Sequence, residues 1–292
     1  MSMLGIAIVN YRNADDTAGL VQSIVARNAT PGQPHVAIAI VDNSDQRAEL
    51  EPVVEFARQN GMTSRLIDGH GNVGYAAGNN LGAAWLLEMG AAVIWVLNPD
   101  TRITGGALAS TLEVFRLGDR AIGATSVPGP NGLSRPDLGV LNLWTGQSGQ
   151  PSAAGVVGPR KLSYVAGHSV VVTRRAWEDL GGFSEDFFLF FEEADLAIRS
   201  AELGIPIAVI ADLAVDHAGG GATGATRDMK AKSRIAYFHA SRSCMIFFRK
   251  HHRPRVPLAL AARVAYAGKA LMVGGPAAAN AIIRGVVAGL RA

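Results

Sequence analysis

Strand and helix signals alternate through the first hundred residues, and this alternation constrains the fold more than any other feature. Short apolar runs closed by polar or turn residues are separated by stretches at helical spacing. The predicted strands are Leu4–Asn10, Val36–Val41, Thr63–Ile67 and Val93–Leu97, and the predicted helices are Asp16–Arg27, Glu49–Asn60 and Ala77–Met89. The series predicts an α/β fold with a mainly parallel central sheet flanked by helices. Ligands bind such sheets at the carboxyl ends of the strands.

Length and composition set the outer limits of the fold. A chain of 292 residues with 49% apolar composition can bury a full core. The single Cys244 cannot form an internal disulfide, which suits a reducing compartment. The apolar run Leu4–Val9 is too short for a signal peptide, so we expect a cytoplasmic protein.

The net charge of +3 hides an asymmetry, because the last acidic residue is Asp228. Residues 229–292 contain 12 Lys/Arg and no Asp/Glu, against 15 Lys/Arg and 24 Asp/Glu before them. A basic segment suits nucleic acid or anionic lipid, and the many Ala, Val, Leu and Ile residues favour lipid. The longest charge-free run, Ala270–Ile283, is shorter than the ~20 residues of a membrane span. We therefore predict a basic amphipathic helical tail over 251–292 that lies on a membrane; a helix packed on the body is the alternative.

The segment Gly182–Gly204 places five acids around the aromatic run Phe187–Phe191. These acids are Glu185, Asp186, Glu192, Glu193 and Asp195. Carboxylates embedded among aromatic side chains are usually paired, metal-bound or catalytic. A general base needs such an environment, because it must lie near a substrate and away from bulk water.

Polar residues directly follow two of the predicted strands. In Val41–Asp45, the carboxylate of Asp42 could accept a hydrogen bond from a base imide or a ribose hydroxyl, although the segment could equally form a plain turn. After the fourth strand, Asn98 and Asp100 offer the oxygen ligands that suit a divalent cation on a diphosphate. An Asx-Pro turn is the alternative there.

A glycine-rich loop, Gly69–Asn80, leads into the third predicted helix. Gly71, Gly74 and Gly78 would let the backbone approach a ligand, and helix N-termini attract phosphate. The loop lacks the Gly-Lys-Ser/Thr ending of a Walker loop, and it follows the third strand whereas a dinucleotide fingerprint follows the first. Phosphate binding and an ordinary glycine-rich turn both remain open.

The middle of the chain has weaker patterns. The Gly/Pro-rich segment Gly123–Pro159 is expected to form acceptor-side loops, Tyr164–Val172 reads as one buried strand, and Arg174–Leu180 as a helix start. Gly219–Thr226 is either a mobile lid over a diphosphate or an ordinary linker.

The order and spacing of these motifs resemble the inverting family 2 glycosyltransferases of GT-A fold, and most closely their bacterial rhamnosyltransferase-like branch. The likeness spans roughly residues 4–220. It rests on IVNYR at 8–12, VDNS at 41–44, NVGYAAGNN at 72–80, LNPD at 97–100 and GGFSEDFFLFFEEADLAIR at 181–199. It implies a GT-A type, Rossmann-like glycosyltransferase domain over 1–250, with a nucleotide-sugar-binding half at 1–104 and an acceptor half at 105–220.

The resemblance also assigns a donor and metal site. Asp42 would read the nucleobase. Asp100 takes the last position of the family's D-x-D metal motif, whose first position is Asn98 here, and His217 matches a histidine that often binds the metal. His217 could otherwise be a surface or core histidine. An imidazole beside a carboxylate favours Mn²⁺ over Mg²⁺. The donor-binding residues implied are Asn10, Arg12, Asp42, Asn72, Gly74, Tyr75, Gly78, Asn79, Asn98 and Asp100.

The same resemblance implies a catalytic base at the start of the helix in the acidic segment. The family has Glu-Asp there with the second residue as base, and this chain has Glu193 at that position, one methylene longer. Glu192 is the alternative candidate for the catalytic base. Asp195 lies four residues before Arg199, and this spacing suits a structural ion pair along the helix.

We therefore expect an inverting hexosyltransferase of cell-wall or polysaccharide biosynthesis at the inner face of the plasma membrane. The branch implies dTDP-rhamnose as the donor and a saccharide, on a polyprenyl carrier given the tail, as the acceptor. No nucleic acid partner is expected, and the oligomeric state is open. A nucleotidyltransferase is an alternative, although Ile8–Ala14 lacks the basic Gly-rich loop it would need. A catalytically inactive sugar-nucleotide or glycan-binding module is the other.

Overall fold

The computed structural model describes residues 2–128, 134–150, 160–218, 224 and 228–292. These residues divide into two compact units. The first unit comprises Met1–Asp137, Val165–Phe183 and Ile198–Ala218, and the second comprises Leu138–Tyr164, Ser184–Ala197 and Gly219–Ala292. The predicted boundary at residue 250 falls inside the second unit.

The first unit is built on one sheet with helices packed against it. Numbered along the whole chain, its strands are β1 (Met3–Asn10), β2 (His35–Asp42), β3 (Thr63–Ile67), β4 (Ala91–Leu97), β5 (Thr101–Gly105), β6 (Ile122–Pro128), β7 (Ser134–Pro136), β11 (Ser169–Thr173) and β12 (Ile207–His217). Its helices are α1 (Ala14–Asn28), α2 (Arg47–Gln59), α3 (Tyr75–Glu88) and α4 (Arg174–Leu180), with a 3-10 segment at Leu108–Leu117.

Within the described residues the strand order is β3-β2-β1-β4-β11-β6-β12-β5, with β7 paired to β6. The strands β1 to β4 pair in parallel. By contrast, β11 runs antiparallel to both β4 and β6. The predicted α/β fold with a central sheet flanked by helices is confirmed, and the sheet becomes mixed beyond β4.

The parallel half forms because its strands are apolar on both faces. Every residue of β1 from Leu4 onward is buried, as is every residue of β2 from Val36 onward, which is typical of a sheet covered on both sides. Gly82 of α3 faces this sheet, and an added Cβ would lie 3.3 Å from the side chains of Ala7 and Val41. The predicted strands and helices of this region are confirmed to within two residues at each end.

Two expectations for the middle of the chain are wrong. Tyr164–Val172 is not one strand: β10 (Lys161–Val165) and β11 belong to different sheets, separated by a turn in which Ser169 N donates to Ala166 O at 3.1 Å. The described part of Gly123–Pro159 contains strands rather than only loops. The helix Arg174–Leu180 is confirmed, and it ends at Gly181 with a φ of 68°. Most of Gly219–Thr226 lies outside the described residues.

The second unit combines a small sheet with helices. Its strands β8 (Leu138–Asn142), β9 (Ser148–Gly149) and β10 pair in the order β10-β8-β9. The helices are α5 (Glu192–Glu202), whose residues after Ala197 belong to the first unit, and α6 (Arg234–His251), α7 (Val256–Gly274) and α8 (Pro276–Arg291). A 3-10 turn, Arg253–Arg255, joins α6 to α7. Helices α6, α7 and α8 share a core formed by Tyr237, Ala267, Ala270, Ala278 and Ile282.

The two tail helices differ in their packing. Helix α8 lies against α6, and Gly285 and Gly289 leave no room for a side chain beside the carbonyls of Phe238 and Arg242. Helix α8 is therefore packed on the folded protein, which was the alternative to a helix lying on a membrane. The stretch Arg253–Gly274 is mostly exposed, and only 17% of its apolar 18-residue window is buried. Among the described residues, this stretch is long and apolar enough to cross a membrane. The short charge-free run in the sequence had argued against a membrane span.

Candidate active site

The carboxylate of Asp42 ends β2 and is already engaged within the protein. It is buried, with 1% exposure, and Oδ1 accepts from Asn10 Nδ2 at 3.1 Å and from Ser44 Oγ at 2.8 Å. Oδ2 accepts from Gln46 N at 2.5 Å. Asp42 therefore holds the turn, and a nucleobase contact would use the remaining acceptor capacity of Oδ2. The exposed Arg12, with a φ of 54°, donates its N–H to Ser44 Oγ at 2.8 Å.

The glycine loop is a tight turn that ends at the start of α3. Gly74 has φ 89° and ψ 177°, a conformation restricted to glycine, and its N–H donates to Asn72 Oδ1 at 3.1 Å. The N-cap residue of α3 is Gly74, which has no side chain to cap the first turn. A helix start of this kind suits an anion such as a phosphate.

Three residues of this motif have structural roles. Gly78 was expected to admit a ligand, but an added Cβ would lie 3.0 Å from Val9, so this glycine serves the packing of α3 on β1. Tyr75 donates its hydroxyl to Gly167 O at 2.6 Å, and Asn79 is buried with Nδ2 donating to Tyr75 O at 2.9 Å. These contacts fix the start of α3.

The structure brings Asp100 and His217 together, as the ends of β4 and β12 meet through β5. Asp100 Oδ1 lies 3.2 Å from His217 Nε2. Burial opposes ionisation of Asp100, but the hydrogen bond and charge of His217 outweigh it and hold the pKa of Asp100 below its ordinary value. Behind this pair, the ring of His168 stacks on His217 at 4.0 Å between centroids, and His168 Nε2 lies 2.5 Å from Asp137 Oδ2.

Three side chains near the ends of β4 and β12 could hold the cation that the resemblance implies. Asp100 and His217 supply an oxygen and a nitrogen at one point, and the buried Oδ1 of Asn98 has no hydrogen-bond partner among the described residues. An orphaned buried acceptor is uncommon and is often explained by an ion. The described chain holds no cluster of three or more His, Cys, Asp and Glu side chains suited to a metal. The donor set fits a cation that takes further ligands from a diphosphate and water.

In the second unit, Glu192 and Glu193 open α5 with buried carboxylates. Glu192 is 4% exposed, and the Oε2 atoms of both residues have no hydrogen-bond partner in the described chain. Burial, and then the charge of Glu193, raise the pKa of Glu192 well above its usual value, and burial raises the pKa of Glu193. Burial and the charges of Glu193 and Glu192 also raise the pKa of Tyr164. Burial thus favours the protonated form of each carboxyl group, and protonation of one affects the pKa of the other.

Backbone strain precedes this acidic pair. Phe190 and Phe191 have φ values of 67° and 74°, in the left-handed region that bulky residues avoid. Contacts from α6 hold the strained turn, because Ser243 Oγ donates to Leu189 O at 2.8 Å and the ring of Phe247 lies 5.5 Å from that of Phe191. Strain retained in this way is concentrated at functional sites.

Asp195, also on α5, is fully buried and faces a histidine and a lysine from α6. Its Oδ1 lies 2.8 Å from His251 Nε2 and 3.2 Å from Lys250 Nζ. These partners were not anticipated from sequence. Arg199 donates to Leu180 O at 2.7 Å and Gly182 O at 3.0 Å, and its ion pair with Asp195 stays a prediction. Asp195 thus ties α5 to α6.

Sequence reasoning missed His168 and Asp137. They lie 31 positions apart, and no local spacing links them to each other or to His217. The only available signal was a histidine placed directly before the buried apolar strand β11.

The fold belongs to a class represented by glycosyltransferase structures. A mannosyltransferase, PcManGT from Pyrobaculum calidifontis in complex with GDP-Man and Mn²⁺, matches 98% of this chain and 86% of its own, with a TM-score of 0.54 and 15% identity. S. aureus TarS 1-349 in complex with UDP-GlcNAc matches 98% of this chain and 82% of its own, with a TM-score of 0.52 and 14% identity. At these identities the likeness establishes the fold alone.

A similar curated protein is the low-salt glycan biosynthesis hexosyltransferase Agl10 of Haloferax volcanii. It is 24% identical over 216 residues, which cover 70% of this chain and 63% of Agl10. The chain therefore spans less than two thirds of that relative's length. No family model matches the chain.

Proposed function

We propose that the protein is an inverting glycosyltransferase that moves a sugar from a nucleoside-diphosphate sugar to a saccharide acceptor. The observation that carries this proposal is the convergence of Asp100 and His217, 3.2 Å apart, in a fold shared with a mannosyltransferase. The similarity to a hexosyltransferase of glycan biosynthesis supports the same reaction class.

The donor's diphosphate is assigned to the first unit. The uncapped first turn of α3 offers N–H groups and the positive end of the helix dipole, and Arg12 adds an exposed positive charge. Asp100 and His217, with Asn98, would hold Mn²⁺ or Mg²⁺, and the cation would supply electrostatic stabilisation of the diphosphate. Asn10, Asp42 and Asn72 are assigned to shaping the nucleoside pocket.

Glu193 is assigned as the base that takes the proton of the acceptor hydroxyl, and Glu192 is the buried carboxyl group beside it. In the transfer step, the acceptor oxygen forms a bond to the anomeric carbon while the bond from that carbon to the phosphate oxygen breaks. The electron pair leaves with the nucleoside diphosphate, and the hydroxyl proton passes to the Glu193 carboxylate. Attack on the face opposite the leaving group inverts the anomeric centre. A carboxylate with a raised pKa is a stronger base than an ordinary one, which suits this role.

The narrower assignments concern substrate and location. We assign dTDP-rhamnose as the candidate donor from the branch resemblance, and a polyprenyl-linked saccharide as the acceptor because α7 is apolar and exposed in a basic tail. The same helix would bring the protein to the inner face of the plasma membrane in polysaccharide biosynthesis. GDP-Man and UDP-GlcNAc, the donors of the similar structures, are the comparison substrates.

The test is release of nucleoside diphosphate from UDP-, dTDP- and GDP-sugars, with and without Mn²⁺, against a panel of saccharide and lipid-linked acceptors. Acceptor-dependent release that requires the cation supports the proposal. Donor binding in a thermal-shift assay without release for any acceptor would instead identify a binding module. Inversion is checked separately by the anomeric configuration of the product in an NMR spectrum.

A further inference from the structure

A cleft of about 630 Å³ lies in the second unit, apart from the residues assigned to sugar transfer. Helix α6 contributes four of its eight lining residues, and we call it the α6 cleft. Its lining residues are Glu185, Asp186, Arg242, Ile246, Arg249, Lys250, Arg253 and Ala292. Arg242, Ile246, Arg249 and Lys250 lie at positions i, i+4, i+7 and i+8 of α6, so their side chains share one helix face, and Arg253 follows in the 3-10 turn.

The positive charge of the cleft is only partly neutralised. Lys250 Nζ lies 2.9 Å from Asp186 Oδ2, and this pairing helps to hold the pKa of Asp186 below its usual range. The lining also holds Arg242, Arg249 and Arg253, together with a second carboxylate, Glu185. Four cationic side chains against two carboxylates leave the cleft with a net positive charge.

Backbone contacts leave these guanidinium groups with donors to spare. Arg242 Nη1 donates to Asp186 O at 3.1 Å, Arg249 Nη1 to Gly289 O at 3.2 Å, and Arg253 Nε to Arg249 O at 3.2 Å. Each contact uses one of the five N–H donors of a guanidinium. The contacts fix the heads at the cleft, and the remaining donors can bind an anion.

Stabilisation of helix α6 explains only some of the cationic residues in the cleft. Cations in the last turn of a helix interact favourably with its dipole, which accounts for Arg249 and Lys250. Arg242 lies near the middle of α6, and Arg253 lies beyond its end. The common feature of the three arginines is the cleft.

The segment that follows the cleft residue Arg253 in the chain is an exposed apolar helix, α7. Val256, the first residue of α7, follows Arg253 by three positions. Along α7, Leu258, Val264, Leu271 and Met272 are 42%, 50%, 51% and 81% exposed. Lys269 is the one charged residue in the exposed class on this helix. A concentrated positive site is thus followed in the chain by an apolar surface suited to hydrocarbon.

We propose that the α6 cleft binds the diphosphate group of a lipid whose hydrocarbon chain contacts α7. Several guanidinium groups suit an anion with at least two negative charges and several oxygens, such as a diphosphate, better than a singly charged phosphodiester headgroup. The inference rests on the proposed function in one respect: a lipid-linked saccharide acceptor carries such a diphosphate.

The test compares binding of the full chain to three kinds of phosphatidylcholine vesicle by flotation. One contains polyprenyl diphosphate, one contains phosphatidylglycerol at matched formal charge, and one contains no further lipid. The variants are Arg242→Gln/Arg249→Gln and, because those side chains also contact other backbone segments, the single Arg253→Gln. The control Lys269→Gln/Arg284→Gln removes two positive charges from exposed residues of α7 and α8 outside the cleft.

We expect the protein to prefer polyprenyl diphosphate over phosphatidylglycerol. The preference should fall by about tenfold in Arg242→Gln/Arg249→Gln and less in Arg253→Gln, whereas the control should bind both vesicles more weakly with its preference unchanged. The proposal is overturned if the unmodified protein shows no preference for polyprenyl diphosphate. It is also overturned if this preference persists in both cleft variants, or if the control loses it to the same degree. Displacement by inorganic pyrophosphate at the lipid's own concentration would identify a site for a soluble anion and overturn the lipid assignment.

Donor binding separates this inference from the proposed function. In a thermal-shift assay, the cleft variants should keep the stabilisation that nucleotide sugars and Mn²⁺ give the unmodified protein. If no nucleotide sugar stabilises the unmodified protein, the proposed function fails while the vesicle result still decides the cleft.

Discussion

Asp100 Oδ1 and His217 Nε2 lie 3.2 Å apart, and the His217 ring is stacked on His168 at 4.0 Å. Strand β5 brings these two residues together although they are 117 positions apart, because β12 pairs with β5 through His217 and Thr101. The proposed cation site therefore depends on the antiparallel edge of the sheet as well as on the motif after β4.

Asp100→Asn should weaken Mn²⁺-dependent binding of a nucleoside diphosphate, because it removes the charged ligand of the proposed cation. His168→Ala should weaken it by about 10–100-fold, the usual effect of losing a group that orients a metal-binding histidine. The measurement is the shift in melting temperature on adding Mn²⁺ and nucleotide. Asp212→Asn, an exposed substitution on β12, is the matched control. Equal shifts in all four proteins would contradict the assignment.

Glu193→Gln should reduce transfer by roughly 10²–10⁴-fold while donor binding is retained, because the amide cannot accept the acceptor's proton. Initial rates of nucleoside diphosphate release, with donor affinity measured in parallel, provide the check. Glu202→Gln, exposed on the same helix, serves as the control. Near-normal turnover in Glu193→Gln with a large loss in Glu192→Gln would move the role to Glu192.

The free energy of unfolding of Glu192→Gln, relative to that of the unmodified protein, should increase as pH rises. The folded-state pKa of Glu192 is raised, so its contribution to stability is present below the unfolded-state value of about 4.3 and is lost as pH rises through the folded value. The glutamine lacks this titration and should therefore gain stability relative to the glutamate as pH rises towards neutral. Melting temperatures of both proteins from acid to neutral pH test this expectation. A difference that stays constant with pH would rule it out.

Phe190→Gly should be more stable than Phe190→Ala by about 1 kcal/mol, because a φ of 67° is costly for any residue with a Cβ. Both substitutions remove the ring, so the comparison isolates the backbone. The corresponding pair at the buried Phe187, which has no positive φ, should show no such advantage for glycine. Urea unfolding of the four variants gives the free energies. Equal stability of Phe190→Gly and Phe190→Ala would mean that the backbone relaxes without cost.

Gly285→Ala should destabilise the protein by about 1–3 kcal/mol, since its Cβ would collide with the Phe238 carbonyl on α6. Gly268→Ala on α7 has nothing within 4 Å in the described chain and should gain up to about 1 kcal/mol of helix propensity. Chemical unfolding of both variants, followed by circular dichroism, measures the difference. Destabilisation of the two to the same degree would mean that α8 does not pack as described.

The sequence predicted the parts of the fold whose signals are local. The strands β1 to β4 read correctly because each is a short apolar run with polar residues at its end, and α1 to α3 fill the intervals. The division between β10 and β11 was missed because Ala166 and Gly167 are small and apolar, so the pattern continues through the turn. Pairing of β11 with β4 joins residues about 75 positions apart, which no periodicity encodes.

The candidate site was predictable where a motif holds its residues together. Asn98 with Asp100, and Glu192 with Glu193, come from contiguous segments. His168 and Asp137 depend on long-range pairing and carried no signal of their own. Gly78 was assigned to ligand approach, but its contact with Val9 shows the other reason for a glycine in a helix, which is close packing on a strand.

The contact of Gly285 and Gly289 with α6 makes the tail part of the folded second unit. Removing residues 253–292 would expose the face of α6 that α8 covers, while the same helix supplies Lys250 and His251 to Asp195. A truncated chain would therefore lose integrity near the acidic segment together with any lipid contact. The membrane contribution of the tail is best measured with single substitutions on the exposed face of α7, at Leu258, Leu271 or Met272, in a chain of full length.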